Sequence, residues 1–294
     1  WSFFRTFDKS MDKYKKHIMG DASEEPMPLY IVPDRKVSLA DVREGMRNHY
    51  EGTELSMTND PGAGAYKVPY RWRPMTFKSE GREYFNERAI ATQQTGFVLI
   101  AQMRSWLPDA VGGILWFGVD DANTAVLTPM YTSITEIPEC YRRGNGSMTE
   151  FSWTSAFWIH NWVANMAYNR YEPMIRDIRP VQKELEDSYV DLVKNTDAKA
   201  LELLKSSPAQ ATAYLTEVCG KVANEATARW KKLGEYLLVK YMDGNVKKEK
   251  DGKFEENGYG QIVSPNFPGY SQEYYDQVAK SGEAKHLEVP KKDK

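Results

Sequence analysis

Arg88 follows Asn86 and Glu87 and stands directly before an apolar run, where a guanidinium is costly to hold unless it is paired or put to use. Gln102 and Arg104 recur at the two-residue period of a strand and so share one face, with Trp106 just beyond them. Asp120 and Asp121 close a second apolar run, and Asn59 with Asp60 lies in a stretch rich in glycine and proline. Amide hydrolysis needs a nucleophile, a base, donors for the developing oxyanion, and charged groups that fix the ends of the substrate. This chain offers residues of the last two kinds. Each also has a plain structural role open to it. Arg88 can pair with Glu87 to fix the start of the strand, Asn59 and Asp60 can bond their own backbone in a turn, and the others can be solvated edge or turn residues.

The elements that place these residues are set by local pattern. A helix is expected from Leu39 to Tyr50, with Ser38 as cap, Asp41 as the reciprocal carboxylate and Gly52 as the stop. Residues 53–78, with Gly62, Gly64, Pro61, Pro69 and Pro74, have the composition of a long ordered loop. Three strands are expected at roughly 96–104, 113–119 and 124–131, joined by the turn-rich LPDAVG and DDAN and therefore antiparallel. The first two are almost continuously apolar, which implies a sheet covered on both faces. Beyond Gly146, the residues Trp153, Phe157, Trp158, Trp162 and Met166 recur at helical spacing over a wide apolar face. Pro173 and Pro180 are expected to punctuate the chain after this helix, before further amphipathic helical sequence. Ser207 and Pro208 then supply the cap and first turn of a last long helix ending near Met242. The tail after Asn245 is rich in Lys, Glu, Gly and Pro, but its aromatic residues favour wrapping around the globule over disorder. The organisation is thus 1–146, 147–244 and 245–294.

Composition excludes several classes. The 294 residues are 41% hydrophobic, enough for a sizeable core, and 39 Lys plus Arg against 41 Asp plus Glu leave a charge of -2 that favours no polyanion. Nucleic acid is not an expected partner. The longest apolar runs fall short of the about 20 residues that a membrane-spanning helix needs. Cys140 and Cys219 are too few for a disulfide framework, although a bridge between them is open. Neither has a nearby His or amide partner, so buried structural thiols are expected. His17, His49, His160 and His286 are scattered without metal-binding spacing and are expected to be structural or surface residues. No cofactor is expected.

The segments HYEGTELSMTNDPGAGAYKVPYRWRP, YFNERAIATQQTGFVLIAQMRSWLPD, GGILWFGVDDA, TPMYTSITEIPECYR and FSWTSAFWIHNWVANMAYNRY resemble, in this order, peptidase family C69. These are dipeptidases of the N-terminal-nucleophile (Ntn) hydrolase superfamily. The resemblance implies a mixed α/β fold of the α+β kind: an αββα sandwich with antiparallel sheets, of which 1–146 would be the second part, followed by a helical region and an extended tail. It also implies a cysteine nucleophile at position one of the mature enzyme, whose own α-amine serves as base. Trp1 cannot fill that role, so the nucleophile is expected on an N-terminal segment outside this chain, and this chain alone is expected to be inactive.

Related Ntn amidases that cleave bile-salt and penicillin amides place an Asn in the oxyanion hole and an Arg near the nucleophile. Asn59 of TND and Arg88 of NER match these, with Asp60 as the alternative to Asn59. A dipeptidase must also bind a free carboxylate or ammonium, for which Asp60, Gln102, Arg104, Trp106, Asp120 and Asp121 are the substrate-binding candidates. Two other functions fit the same scaffold: an amidase acting on N-acyl amino acids or lactam-like amides, and a non-catalytic binding module. The long helices permit a homo-oligomer. Location would be periplasmic or secreted if a signal peptide precedes the nucleophile, and cytoplasmic otherwise.

Overall fold

A computed structural model describes residues 1–86, 88–262, 266–281 and 289. Glu87 and His286 lie outside the described residues. The chain is a mixed α+β protein with small antiparallel sheets. In order come α1 (Ser2–Phe7), α2 (Lys15–Ile18), α3 (Leu39–Met46), β1 (Thr76–Ser79), β2 (Arg82–Phe85), β3 (Phe97–Met103), α4 (Asp109–Gly112), β4 (Gly113–Val119) and β5 (Thr128–Tyr131). After them come α5 (Ala156–Asn169), α6 (Tyr171–Ser206), α7 (Pro208–Lys240), β6 (Glu249–Lys250), β7 (Lys253–Phe254) and α8 (Gln272–Lys280).

The cap of α3 forms as its sequence implies. The Asp41 amide donates to Ser38 Oγ at 3.2 Å, the Asp41 carboxylate accepts from the Ser38 amide at 2.8 Å, and Arg35 forks onto that carboxylate. The helix stops at Met46 rather than Tyr50. The Asn48 side chain takes the Tyr50 amide at 3.0 Å, Tyr50 turns to a φ of 67°, and the helical pattern cannot continue. The expected long loop holds two short 3-10 turns, and its last residues enter the β1–β2 hairpin.

The main sheet has the order β3-β4-β5, antiparallel throughout, with Met103 opposite Gly113, Phe97 opposite Val119 and Ile114 opposite Tyr131. Val98, Ile114, Trp116, Met130 and Tyr131 join one core with Ile178, Val193, Leu215, Val222 and Trp230 of α6 and α7. The other face departs from the expectation of a sheet covered on both sides. Phe97, Leu99 and Met103 are 62%, 43% and 61% exposed there. A second difference is β5, which begins at Thr128 rather than 124 because the preceding residues form a buried turn.

Helices α6 and α7 form an antiparallel pair joined at Ser207, whose side chain accepts from the Gln210 amide, with Pro208 in the first turn. Pro173 falls in the first turn of α6, where its missing amide costs nothing. Pro180 does not end the helix as its residue type suggests. It lies inside α6, whose 36 residues are held along α7 by the shared core. Gly234 of α7 admits Trp162 of α5 at a place where a Cβ would overlap the indole ring. Among the described tail residues, the Val246 amide donates to Asn266 O at 2.8 Å, and Tyr270 meets Tyr66 edge-on at 5.5 Å. The same core runs from the sheet through α5, α6 and α7. No helix among the described residues is long and apolar enough to cross a membrane.

Arg104, at the end of β3, binds Asp197 of α6 through both terminal nitrogens, and Tyr131 OH donates to the same carboxylate at 2.7 Å. Removing one partner of a largely buried pair leaves the other charge uncompensated. Asp197→Ala should therefore cost about 3 kcal/mol of unfolding free energy in urea titration. A loss well below 1 kcal/mol would show that the pair does not lock sheet to helix.

Candidate functional site

The sheet divides the residues that the sequence singles out. Because β4 is seven residues long and Met103 pairs with Gly113, the Gln102–Arg104–Trp106 end lies roughly 20 Å from the Asp120–Asp121 end. At the first end, Gln102 Oε1 accepts from Trp116 Nε1 at 3.0 Å, Arg104 is bound to Asp197, and Trp106 is 76% exposed. Asn59 and Asp60 lie in a third place. Asp60 takes the Gly62 amide at 2.8 Å and the Arg71 guanidinium, and both residues line a small cleft against α8. Asn59 is exposed beside Thr58.

At the second end the chain leaves β4 through Asp120, whose φ of 66° is uncommon for a residue with a side chain, although aspartate tolerates it better than most. Its amide still donates to Gly96 O at 3.0 Å, so the carboxyl is carried by the last rung of the ladder. That carboxyl is buried. Oδ1 accepts from Asn161 Nδ2 at 2.8 Å, and Oδ2 has no partner among the described residues. Burial pushes the Asp120 pKa up to about 7, the neighbouring Asp121 charge adds to the rise, and the Asn161 hydrogen bond opposes it.

Asp121 is fully buried but satisfied. Its Oδ2 accepts from the Thr124 amide and hydroxyl at 3.0 and 2.8 Å, and its Oδ1 accepts from Tyr168 OH at 3.1 Å. Tyr168 OH is also 3.2 Å from His49 Nε2, and His49 Nδ1 is 3.4 Å from the exposed Glu51. A line of polar groups thus connects the surface at Glu51 to the corner at Asp121. Tyr70 packs edge-on against Tyr168 and Trp72, and burial raises its phenol pKa. Tyr50 OH donates to Arg88 O at 2.5 Å, while the Arg88 side chain is exposed. Of the sequence candidates, Asp120 and Asp121 lie together at this corner. A cavity of about 290 Å³ starts at Val119, the residue before Asp120, and is walled by Tyr141, Arg143, Phe157 and Trp158.

This corner can hold a cation at an under-solvated carboxyl, or exchange a proton near neutral pH. Neither cysteine fits a nucleophile. Both are buried and unpaired, and burial raises the Cys219 thiol to about 11, against the thiolate form. His160 is structural as expected, stacked on Trp230 at 5.0 Å and pushed by burial down to about 3. Among the described residues no group of three or more His, Cys, Asp or Glu is placed to hold a metal. Sequence reasoning missed His49, Tyr168 and Asn161. One signal was present: Asn161, Asn165 and Asn169 repeat every four residues along an otherwise apolar helix.

The sequence model of peptidase family C69 matches residues 1–184. The chain belongs to peptidase family C69. The C69 match takes in His49, Arg88, Asp120, Asp121, Asn161 and Tyr168, and ends within α6. Curated relatives include a probable dipeptidase B of Lactococcus lactis subsp. lactis, 26% identical over 77% of this chain and 44% of that protein. A probable dipeptidase of Latilactobacillus sakei is 26% identical over 77% of this chain and 46% of its own length, and dipeptidase A of Lactobacillus helveticus is 22% identical over 58% and 30%. The chain spans less than half the length of these relatives.

Because its folded pKa is raised, Asp120 contributes stability that is full below about pH 4 and lost as pH rises through about 7. Asp120→Asn keeps an acceptor for Asn161, tolerates the positive φ, and does not titrate. Its stability relative to the parent chain should rise between pH 4 and 8 by roughly 2–4 kcal/mol in chemical denaturation. A difference independent of pH would remove Asp120 from this role.

Proposed function

We propose that this chain is the downstream part of a cysteine dipeptidase, in which Asp120 receives the free α-ammonium of the substrate. The observation that carries this is the buried Oδ2 of Asp120 without a partner among the described residues, on a carboxyl held at the end of the central strand. A substrate ammonium would supply the charge and the donors that the surroundings withhold. Family membership and the names of the relatives support the reaction class.

In the proposed reaction an N-terminal cysteine on a segment outside this chain attacks the peptide carbonyl as its thiolate. The C–N bond breaks, the departing amine takes up a proton and leaves as the C-terminal amino acid, and the N-terminal residue is held as a thioester. Water then adds to the thioester carbonyl, the C–S bond breaks, and the second amino acid leaves as the thiol is restored. Arg88, whose residue is exposed and whose carbonyl accepts from Tyr50 OH, is the charge-supporting group of this chain. Asn59, beside α8 in this structure, would support the oxyanion only from a different wall of the cleft.

Steady-state kinetics on a protein of the relatives' full length tests this. Asp120→Asn should raise KM for dipeptides roughly tenfold or more, the loss expected for one charge-assisted contact, and leave N-acyl amino acids little affected. Preference for a blocked amine would favour the amidase instead. Binding of both substrate types without turnover would favour a non-catalytic module.

A further inference from the structure

The cavity beside Val119 has two arginines in its walls, Arg142 and Arg143, and no carboxylate among the described residues. Arg142 is turned toward Ile137 O at 3.5 Å, while Arg143 is exposed and has no ion pair among the described residues. The cavity also meets the start of α5. Ser155, the N-cap residue, lines it together with Phe157 and Trp158 of the first turn. The first amides of a helix have no carbonyl of their own to meet, and a serine in this position ordinarily accepts from one of them. Ser155 does not. It is 5% exposed, its Oγ has no hydrogen-bond partner among the described residues, and that oxygen is not one of the polar atoms sealed from solvent. An open hydroxyl beside uncapped amides and an unpaired guanidinium makes a wall rich in donors and short of an acceptor.

The remaining walls are apolar and fixed. Trp158 Nε1 donates to Ser147 O at 3.0 Å, Gly146 lies where a Cβ would come within 2.9 Å of the same indole, and Tyr141 packs edge-on against Phe117 at 5.1 Å. A volume of about 290 Å³ stands at the small end of ligand sites, which run from roughly 300 Å³ upward. A carboxylate that carries an apolar side chain matches both kinds of wall, and an ammonium matches neither. The cavity and the corner at Asp120 also lie along one helix. Phe157 and Trp158 stand four and three residues before Asn161, whose side chain donates to Asp120 Oδ1, so all three share a face of α5. From Ser155 to Asn161 the helix rises about 9 Å, and an extended dipeptide spans about 7 Å before its hydrogen bonds are added.

We propose that this cavity is the subsite for the C-terminal residue of the dipeptide, with the carboxylate on Ser155 Oγ, the first-turn amides of α5 and Arg143, and an apolar side chain against Phe157 and Trp158. The assignment to a dipeptide rests on the function proposed above. The carboxylate site itself does not.

The test is a calorimetric titration of this chain with 3-phenylpropionate, 3-phenylpropionamide, acetate and inorganic phosphate in separate arms. 3-Phenylpropionate should bind saturably, its uncharged amide at least roughly tenfold more weakly, and acetate and phosphate more weakly by a similar factor for want of the ring. Ser155→Ala loses no cap bond in the free chain, and Arg143→Gln changes an exposed residue, so both should fold as the parent does and weaken 3-phenylpropionate roughly fivefold. The carboxylate site is overturned by no saturable binding, by the amide, acetate or phosphate binding as tightly, or by both variants binding like the parent. In a protein of the relatives' full length, Arg143→Gln should raise KM for dipeptides ending in leucine or phenylalanine by the same factor, with kcat unchanged, and should not affect their C-terminal amides. An unchanged KM would overturn the subsite. Because 3-phenylpropionate has no ammonium, its binding does not involve Asp120. Absence of dipeptide turnover would therefore sink the dipeptidase reading and the subsite assignment with it, while the carboxylate site is judged by the titration.

Discussion

Residues 120–127 are buried from end to end and yet, between β4 and β5, run as neither helix nor strand. A buried backbone outside regular structure has no ladder to satisfy its amides and carbonyls, and each unmatched group costs about 1–3 kcal/mol. The rest of the structure is arranged around meeting this demand. Gln182 donates to Asn123 O and Ala125 O at 3.1 and 2.7 Å, Arg179 donates to Asn123 O, Arg47 donates to Ala125 O at 3.4 Å, and Glu186 accepts the Leu127 amide at 2.9 Å. Within the segment, Asp121 accepts the Thr124 amide.

Arg179, Gln182 and Glu186 are spaced three and four apart and present one polar face of α6 to the segment. That requirement explains why α6 runs through Pro180. Breaking the helix there would separate Arg179 from Gln182 and Glu186, and the segment would lose its partners. Glu186 also binds Arg47 just past the end of α3, so the same buried carboxylate joins the helix pair, the N-terminal region and the sheet. Asp120 inherits the result. Its backbone is fixed on one side by the β ladder and on the other by this network, which is how an under-solvated carboxyl can persist at a strained dihedral.

What the sequence made legible was local. The Ser38–Asp41 cap, the Ser207–Pro208 start, the β3 and β4 strands and the wide apolar face of α5 each depend on residues within a few positions of one another. The mixed α+β class was what the resemblance to family C69 implied, and these elements agree with it. The misplaced start of β5 had a distant cause, since its expected first residues give their hydrogen bonds to side chains of α6. Arg104 looked like a cleft residue because its partner, Asp197, is on a helix remote in sequence. His49 looked ordinary for the same reason, with Tyr168 as its hidden partner. Spacing placed Gln102 and Arg104 on one strand and Asp120 and Asp121 in the turn that closes the next, and the register sets the two pairs at opposite ends of the sheet. The exposed Phe97, Leu99 and Met103 belong to the same lesson: an apolar run states that a face is to be covered, not what covers it.

The fold holds Asp120 as a buried carboxyl short of partners, poised near neutrality. Carbon-detected NMR of the Asp120 side chain across pH 3 to 9 measures this directly. A titration midpoint near 7 is the expected result. A midpoint at about 4, the range of a solvated aspartate, would contradict it and remove the physical basis for an ammonium site at the end of β4.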